Sequence, residues 1–153
     1  MIVADTSAIV AIAFAEPERD AFVQAMQSAE RVLISTVSVV EARMVVHGRR
    51  GQRAVVLVDD LLRLPMFEIT PPGPAEMDAA YAAFVAFGKG SGHAAALNFG
   101  DVFSYALAKV RGLPLLYKGT DFSETDIASA VRAGPRPRSA PPGIGYIDIK
   151  HPE

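Results

Sequence analysis

Four carboxylates, Asp5, Glu41, Asp101 and Asp121, lie at places in the chain from which they could share one ligand. Ionised carboxylates in one cleft repel one another unless a cation lies among them or some are protonated. The chain has no cysteine, and its three histidines do not cluster, so we expect oxygen ligands only. Oxygen ligation favours Mg²⁺ or Mn²⁺ over zinc. Because a cation held in this way accepts phosphate oxygens, the expected chemistry is metal-assisted hydrolysis of a phosphodiester bond.

Asp101 lies in the first turn of a helix predicted over Leu97–Ala108. The partial positive charge at a helix N-terminus favours an anion there. The apolar residues behind it cover a surface too wide for an exposed helix, and these are Val102, Phe103, Tyr105, Ala106, Leu107 and Val110. We therefore expect a buried helix with a carboxylate at its start. The alternative is that Asp101 only assists the start of the helix.

Glu41 lies within an apolar stripe of a helix predicted to run from Ser38 to about Arg49. Its neighbours at helical spacing include Val37 and Val45, so its side chain is expected on the buried face. Glutamate is rarely buried without a partner. We interpret Glu41 as a carboxylate held inward for a cation. The alternative is a glutamate at the edge of the stripe that reaches water.

Asp5 and Asp121 each follow an apolar strand. Asp5 comes directly after the first strand, and Asp121 comes a short turn after the last clear strand. Both have a helix-capping alternative. The trio Asp5, Thr6 and Ser7 consists of capping residue types, and Asp121 with Glu124 three residues later has the spacing of a capping pair.

Short apolar strands alternating with helices predict a parallel sheet covered by helices. The predicted strands are 1–4, 31–35, 67–69 and 115–117, and helices are predicted over 16–28, 38–49, 53–64, 74–87 and 97–108. Ligands of such sheets bind beyond the carboxyl ends of the strands. Asp5, Glu41 and Asp121 open onto that edge, and Asp101 reaches it if the loop over 88–98 crosses the edge.

The chain of 153 residues is expected to form one domain, and its net charge of −2 lacks the basic signature of a general nucleic-acid binder. Any nucleic-acid contact must then come from local basic residues or through a metal. A basic cluster near the end of the 38–49 helix is either a solvated helix end or a contact with a nucleic-acid backbone or an acidic partner, and it comprises Arg43, His47, Arg49, Arg50 and Arg53. The early apolar run Ala8–Ala15 is too short to span a membrane, and no secretory signal is expected.

Several motifs resemble those of PIN-domain ribonucleases, specifically VapC-type toxins of bacterial toxin–antitoxin systems. Individually they are weak, but their order and spacing are specific. They are Ile2–Ala8 around Asp5, Val39–Ala42 around Glu41, Gly88–Gly90 with Leu97–Asp101, and Leu115–Phe122 with Thr125–Ile127.

The resemblance implies a three-layer α/β/α fold with a short-stranded parallel sheet over residues 1–127, followed by an irregular or loosely packed extension over 128–153. It implies that Asp5, Glu41, Asp101 and Asp121 bind Mg²⁺ or Mn²⁺, supported by Thr6, Ser7 and Asn98. It also implies a cytoplasmic endoribonuclease that acts on structured RNA such as tRNA or rRNA, forms a homodimer and is inhibited by a VapB-type antitoxin. We expect RNA contacts from Arg43, Lys89 and Lys118.

Two other functions remain open at this point. The first is a non-catalytic interaction domain with the same fold, although a degenerate copy would be expected to lose one of the four carboxylates. The second is a phosphatase with Asp5 as its nucleophile. The residues after Asp5 lack the second aspartate, two positions on, that a haloacid-dehalogenase-like enzyme would carry.

Overall fold

Four parallel strands form the centre of the molecule in a computed structural model that describes residues 1–131. The strands are Ile2–Ala4 (β1), Val32–Ser35 (β2), Phe67–Thr70 (β3) and Leu115–Leu116 (β4), and their order in the sheet is β3-β2-β1-β4. In this register Val3 lies between Leu33 and Leu115. The carboxyl ends of β1, β2 and β4 therefore meet along one edge.

Six α-helices surround the sheet within residues 1–131, namely Thr6–Ala13 (α1), Arg19–Gln27 (α2), Thr36–Arg50 (α3), Val56–Leu62 (α4), Pro74–Phe87 (α5) and Phe99–Arg111 (α6). The predicted start of α3 at Ser38 was two residues late, because Ser35 Oγ accepts the Val37 N–H and caps the helix earlier. The helix predicted over 53–64 is divided into a 3₁₀ turn at Gln52–Val55 and α4.

Two hydrophobic clusters lie on opposite faces of the sheet. Alternation along β1 sends Ile2 and Ala4 into the cluster formed with α1, α2, α3 and α4, whereas Val3 faces the cluster formed with α5 and α6. Because both faces are covered, the strands are buried throughout β1, β2 and β4. This arrangement confirms the predicted three-layer α/β/α fold.

The chain beyond β4 returns to the sheet before the described residues end. Leu115 N–H donates to Ala128 O, and Ala130 N–H donates to Leu115 O, each at 2.8 Å. The proposed boundary at residue 127 therefore falls next to a backbone pairing and stays a prediction. The sequence also predicts a last strand at 146–149, which lies outside the described residues. None of the helices in the described part of the chain is long and apolar enough to cross a membrane.

Candidate metal centre

Asp5 is a buried carboxylate at the junction of β1 and α1, with 2% of its surface exposed. Its Oδ2 accepts hydrogen bonds from the Ser7 N–H at 2.9 Å and the Ser7 hydroxyl at 2.6 Å, so the capping alternative is correct for this oxygen. Oδ1 is also buried, and it has no hydrogen-bond partner among the described residues. A buried acceptor without a partner is costly. The helix cap thus uses one oxygen of Asp5 and leaves the other without a partner among the described residues.

Glu41 lies one and a half turns into α3 and points toward the start of α1. The Thr6 hydroxyl donates to Glu41 Oε2 at 2.6 Å, and it also lies 3.3 Å from Ser38 O. The Glu41 carboxylate also lies directly against the backbone of Gly100 in α6. Glu41 is therefore half-buried and held from two sides, as its position in the apolar stripe predicted.

Asp101 occupies the first turn of α6, where it forms a reciprocal capping pair with Asn98. Asn98 Oδ1 accepts the Asp101 N–H at 3.0 Å, and Asp101 Oδ2 accepts the Asn98 N–H at 2.8 Å. The helix-start alternative is therefore also correct. Asp101 Oδ1 accepts no hydrogen bond within the described residues. As at Asp5, one oxygen caps the helix and the other makes no hydrogen bond within residues 1–131.

Asp121 is exposed and begins a 3₁₀ turn at Asp121–Glu124. The expected capping pair of Asp121 with Glu124 is wrong, because Thr120 precedes the turn and no side chain caps it. The segment leading to Asp121 is tied to the first carboxylate through Ser7, whose hydroxyl oxygen accepts the Lys118 N–H at 3.0 Å. The same hydroxyl bonds Asp5, so Ser7 links the ends of β1 and β4.

Burial and the neighbouring carboxylates raise the pKa values of Asp101 and Glu41. Burial, joined by repulsion from Asp5, Glu41 and Asp121, raises the pKa of Asp101 to about 7, although the Asn98 N–H opposes this shift. Burial also raises the pKa of Glu41; the Thr6 hydroxyl opposes the shift, and the charge of Asp5 adds to it. Negative charge is thus concentrated here without a compensating cation from the described residues.

These residues fit a hard divalent cation. The donors are oxygens, the buried Asp5 Oδ1 needs a partner, and the shifted pKa values show that added positive charge would stabilise the ionised forms. Within residues 1–131, no three Asp, Glu, His or Cys side chains are already gathered closely enough to hold an ion. Mg²⁺ keeps several waters and needs only one or two direct carboxylates, which suits this looser arrangement.

His47 and His93 take part in local contacts away from the four carboxylates. His47 Nδ1 shares a hydrogen bond of 3.1 Å with Gln52, and His93 Nδ1 accepts the Ala95 N–H at 3.1 Å. Neither contact involves a carboxylate of the cluster. The donors that the described part of the chain provides for a cation are therefore oxygen atoms.

The basic residues expected to contact RNA differ in how they are engaged. Arg43 Nε binds Asp59 at 2.8 Å, and Lys118 Nζ binds Glu16 at 2.7 Å and Glu18 at 3.1 Å. Lys89 has no ion-pair partner within residues 1–131, and it lies beside Asn98 in the lining of an apolar hollow. Of the three, Lys89 is the most readily available to a phosphate.

Sequence reasoning missed two features of the site. Ser38 and Ser104 are fully buried and share a 3.0 Å hydrogen bond that joins α3 to α6. Gly100 lies against Glu41 although 59 residues separate them in the sequence. A glycine inside a helical pattern and next to a candidate ligand was the available signal for Gly100. The serine pair left no signal, because it depends on how two distant helices pack.

Comparison with known proteins agrees with this geometry. The family model of the PIN domain matches residues 2–128. Ribonuclease VapC30 of Mycobacterium tuberculosis is 41% identical over 128 residues, which cover 84% of this chain and 97% of that protein. VapC ribonuclease Mb0625 of Mycobacterium bovis is 38% identical over 130 residues, covering 85% of this chain and 98% of that protein.

Solved structures show the same fold. The crystal structure of VapC20 from Mycobacterium tuberculosis, described as a sarcin–ricin loop cleaving toxin, matches with a TM-score of 0.69 at 18% identity and covers 84% of this chain and 97% of that one. Together with the carboxylates at the edge of the sheet, the family match and these relatives identify the family. The chain belongs to the PIN-domain family and, within it, to the VapC-type ribonucleases.

Proposed function

We propose that this protein is an endoribonuclease that hydrolyses RNA with Mg²⁺ or Mn²⁺ held by Asp5, Glu41, Asp101 and Asp121. The observation that carries the proposal is the buried Asp5 Oδ1, which has no partner among the described residues and lies beside carboxylates whose pKa values are raised by burial and by neighbouring charges. Bound there, the cation would activate a water for attack and stabilise the charge on the leaving oxygen.

The chain's own residues prepare the carboxylates for this task. Ser7 holds Asp5 through Oδ2 and leaves Oδ1 directed elsewhere. Thr6 fixes one oxygen of Glu41, and Asn98 fixes one oxygen of Asp101. Supporting groups of this kind keep ligands in place and typically change metal affinity by about 10–100-fold when they are removed. Thr6, Ser7 and Asn98 are thus positioning residues.

We assign the first contact with the RNA backbone to Lys89. The net charge of −2 gives no long-range attraction to RNA, so local cations and the bound metal must hold the phosphates. Lys118 can contribute only by exchanging Glu16 and Glu18 for a phosphate, and Arg43 only by leaving Asp59. Structured RNA, such as rRNA or tRNA, is the proposed substrate, in keeping with the described target of VapC20.

Two partners are proposed for the apolar surfaces beside the site. Large side chains of α5 and the start of α6 are more than half exposed, namely Met77, Tyr81, Phe84, Val85 and Phe99, and we assign this face to a homodimer.

A second hollow, lined by Val37, Val40, Met44 and Glu41, adjoins the carboxylates. We assign it to a segment of a VapB-type antitoxin. A toxin–antitoxin complex from Klebsiella pneumoniae shares the fold, with a TM-score of 0.58 at 18% identity over 80% of this chain and 91% of that one. We propose that this protein acts in the cytoplasm.

The proposal is tested by incubating the purified protein with a panel of folded RNAs and their DNA equivalents, with Mn²⁺, with Mg²⁺ and with EDTA. We expect discrete cleavage of RNA that needs the cation and spares DNA. Cleavage that persists in EDTA would contradict the metal-dependent mechanism. The absence of RNA cleavage under every condition, with the protein folded and free of antitoxin, would favour a non-catalytic interaction domain.

A further inference from the structure

Gly100 is buried at the second position of α6, directly against the Glu41 carboxylate. A Cβ atom added at Gly100 would lie 2.2 Å from Glu41 Oε2 and 2.5 Å from both Cδ and Oε1. Separations this short are not tolerated by real side chains. Any residue other than glycine would therefore require the carboxylate or the helix to move.

The backbone gives no other reason for a glycine here. Gly100 lies in a regular α-helix, whereas the glycines with left-handed conformations among residues 1–131 are Gly51, Gly90, Gly92, Gly112 and Gly119. Glycine is less favourable than alanine in a helix. Gly48 is a useful contrast, because it is also helical but a Cβ there would meet nothing within 4 Å. The close approach of Glu41 is what distinguishes Gly100.

The Glu41 carboxylate is also held by a residue of α1. Thr6 Oγ1 donates to Glu41 Oε2 at 2.6 Å, and that oxygen is also the atom nearest to the added Cβ at Gly100. The carboxylate therefore fills a slot that is bounded by the Thr6 hydroxyl and the bare backbone of α6. A side chain at position 100 would displace the oxygen that Thr6 bonds, so the carboxylate would have to leave its present position.

We infer that Gly100 is a positioning residue: its missing side chain creates the slot that holds the Glu41 carboxylate between α1 and α6, within reach of the cation. The importance of this slot for metal binding rests on the proposed function. The steric relation between Gly100 and Glu41 does not.

Mn²⁺ binding by isothermal titration calorimetry tests the inference, with wild type, Gly100→Ala and the matched control Gly48→Ala. We expect Gly100→Ala to weaken Mn²⁺ binding by about 10–100-fold, as loss of a ligand-orienting contact does. Gly48→Ala is expected to bind as wild type does. Adding Gly100→Ala to Glu41→Asp, whose carboxylate is one methylene shorter, is expected to cost much less. Unchanged binding by Gly100→Ala, or an equal loss in the Glu41→Asp background, would overturn the inference.

A thermal-unfolding cycle without metal keeps the inference testable if Gly100→Ala folds poorly. We expect Gly100→Ala to lower the melting temperature in wild type but to leave it unchanged or raise it in the Glu41→Ala background, where the clash is gone. An equal decrease in both backgrounds would overturn the inference. If wild type binds no Mn²⁺, the proposed function fails, and this cycle alone decides whether Gly100 makes the slot.

Discussion

Asp101 lies in the first turn of α6, and Asp126 binds side chains of the same helix. Their surroundings shift the pKa values of the two carboxylates in opposite directions. Asp126 accepts hydrogen bonds from the Tyr105 hydroxyl at 2.7 Å and Lys109 Nζ at 2.5 Å, which together lower its pKa. Asp101 faces Asp5, Glu41 and Asp121, and burial with this repulsion raises its pKa to about 7. One carboxylate is neutralised by the chain itself, and the other is not.

The difference separates structural acids from candidate ligands. Acids outside the cluster such as Glu16, Asp59 and Asp126 pair with lysine or arginine. The carboxylates at the edge of the sheet have no such partner among the described residues. Neighbouring carboxylates with raised pKa values and no paired cation are typical of a functional site. We therefore predict that an added divalent cation stabilises the region around Asp101 and does not affect the region around Asp126.

The largest expected effect is the loss of RNA cleavage in Asp101→Asn. Asp101 would help to hold the cation that stabilises the negative charge of the transition state. Loss of such stabilisation typically costs about 3–4 kcal/mol, so we expect a decrease on the order of 10²–10³-fold in kcat. Asparagine retains an oxygen that can accept the Asn98 N–H, which should preserve folding. Asp126→Asn is the matched control and is expected to cleave at the rate of wild type. Similar losses in both variants would contradict the distinction between the two acids.

The second effect is on the pH dependence of stability without metal. Because the pKa of Asp101 rises from 3.8 to about 7 on folding, its protonation stabilises the folded state below pH 4, and this contribution is lost as the pH rises through 7. The lowered pKa of Asp126 acts oppositely, since its contribution exists above pH 3.8 and is lost as the pH falls.

Urea unfolding between pH 4 and 8 measures this contrast. Relative to Asp101→Asn, wild type is expected to lose about 2 kcal/mol of unfolding free energy over this range, which discounts the full shift for partial exposure. Parallel pH profiles for wild type and Asp101→Asn would show that folding does not raise the pKa of Asp101.

A smaller effect is expected from Ser7→Ala. The variant loses the hydroxyl that bonds both Asp5 Oδ2 and the Lys118 N–H, whereas the backbone hydrogen bond from the Asp5 N–H to Leu116 O remains. We expect Mn²⁺ affinity to fall by about 10-fold, measured by calorimetry. Ser28→Ala, which removes only an exposed hydroxyl bonded to Gln24 O, is the matched control. Unaltered affinity in Ser7→Ala would remove Ser7 from the support of the site.

The smallest effect is expected from Lys89→Ala, which tests the contact with RNA. We expect weaker binding of all RNAs and a decrease of about 1 in the slope of log K against log salt, as for the loss of one phosphate contact. Arg63→Ala, which removes a charge already paired with Asp60, should leave the slope unchanged. Filter binding over a salt series with an uncleaved RNA measures both. Equal slopes for Lys89→Ala and wild type would place the contact elsewhere.

The layers of the fold could be predicted because they depend on local patterns. Apolar strands followed by amphipathic helices predicted the parallel sheet, and the stripe around Glu41 predicted its inward orientation. The split before α4 and the early start of α3 were missed, because they depend on a 3₁₀ turn and on the Ser35 cap. The periodicity of apolar residues does not predict either feature.

The carboxylates could be located from the sequence, but the way they are held could not. Capping was treated as an alternative to ligation at Asp5 and Asp101, whereas the structure gives one oxygen of each to the cap and leaves the other. The raised pKa of Asp101 and the slot at Gly100 depend on the approach of α3 to α6. Such contacts join residues about 60 positions apart and exist only after packing.

The most direct test of the central claim is thermal unfolding with and without Mn²⁺ for wild type, Asp101→Asn and Asp126→Asn. A ligand bound only by the folded state adds about 2.7 kcal/mol at 100 times its dissociation constant. We predict that Mn²⁺ raises the melting temperature of wild type and Asp126→Asn but not that of Asp101→Asn. A wild type that does not respond to millimolar Mn²⁺, or an Asp101→Asn variant that responds fully, would contradict the claim that these carboxylates form one cation site.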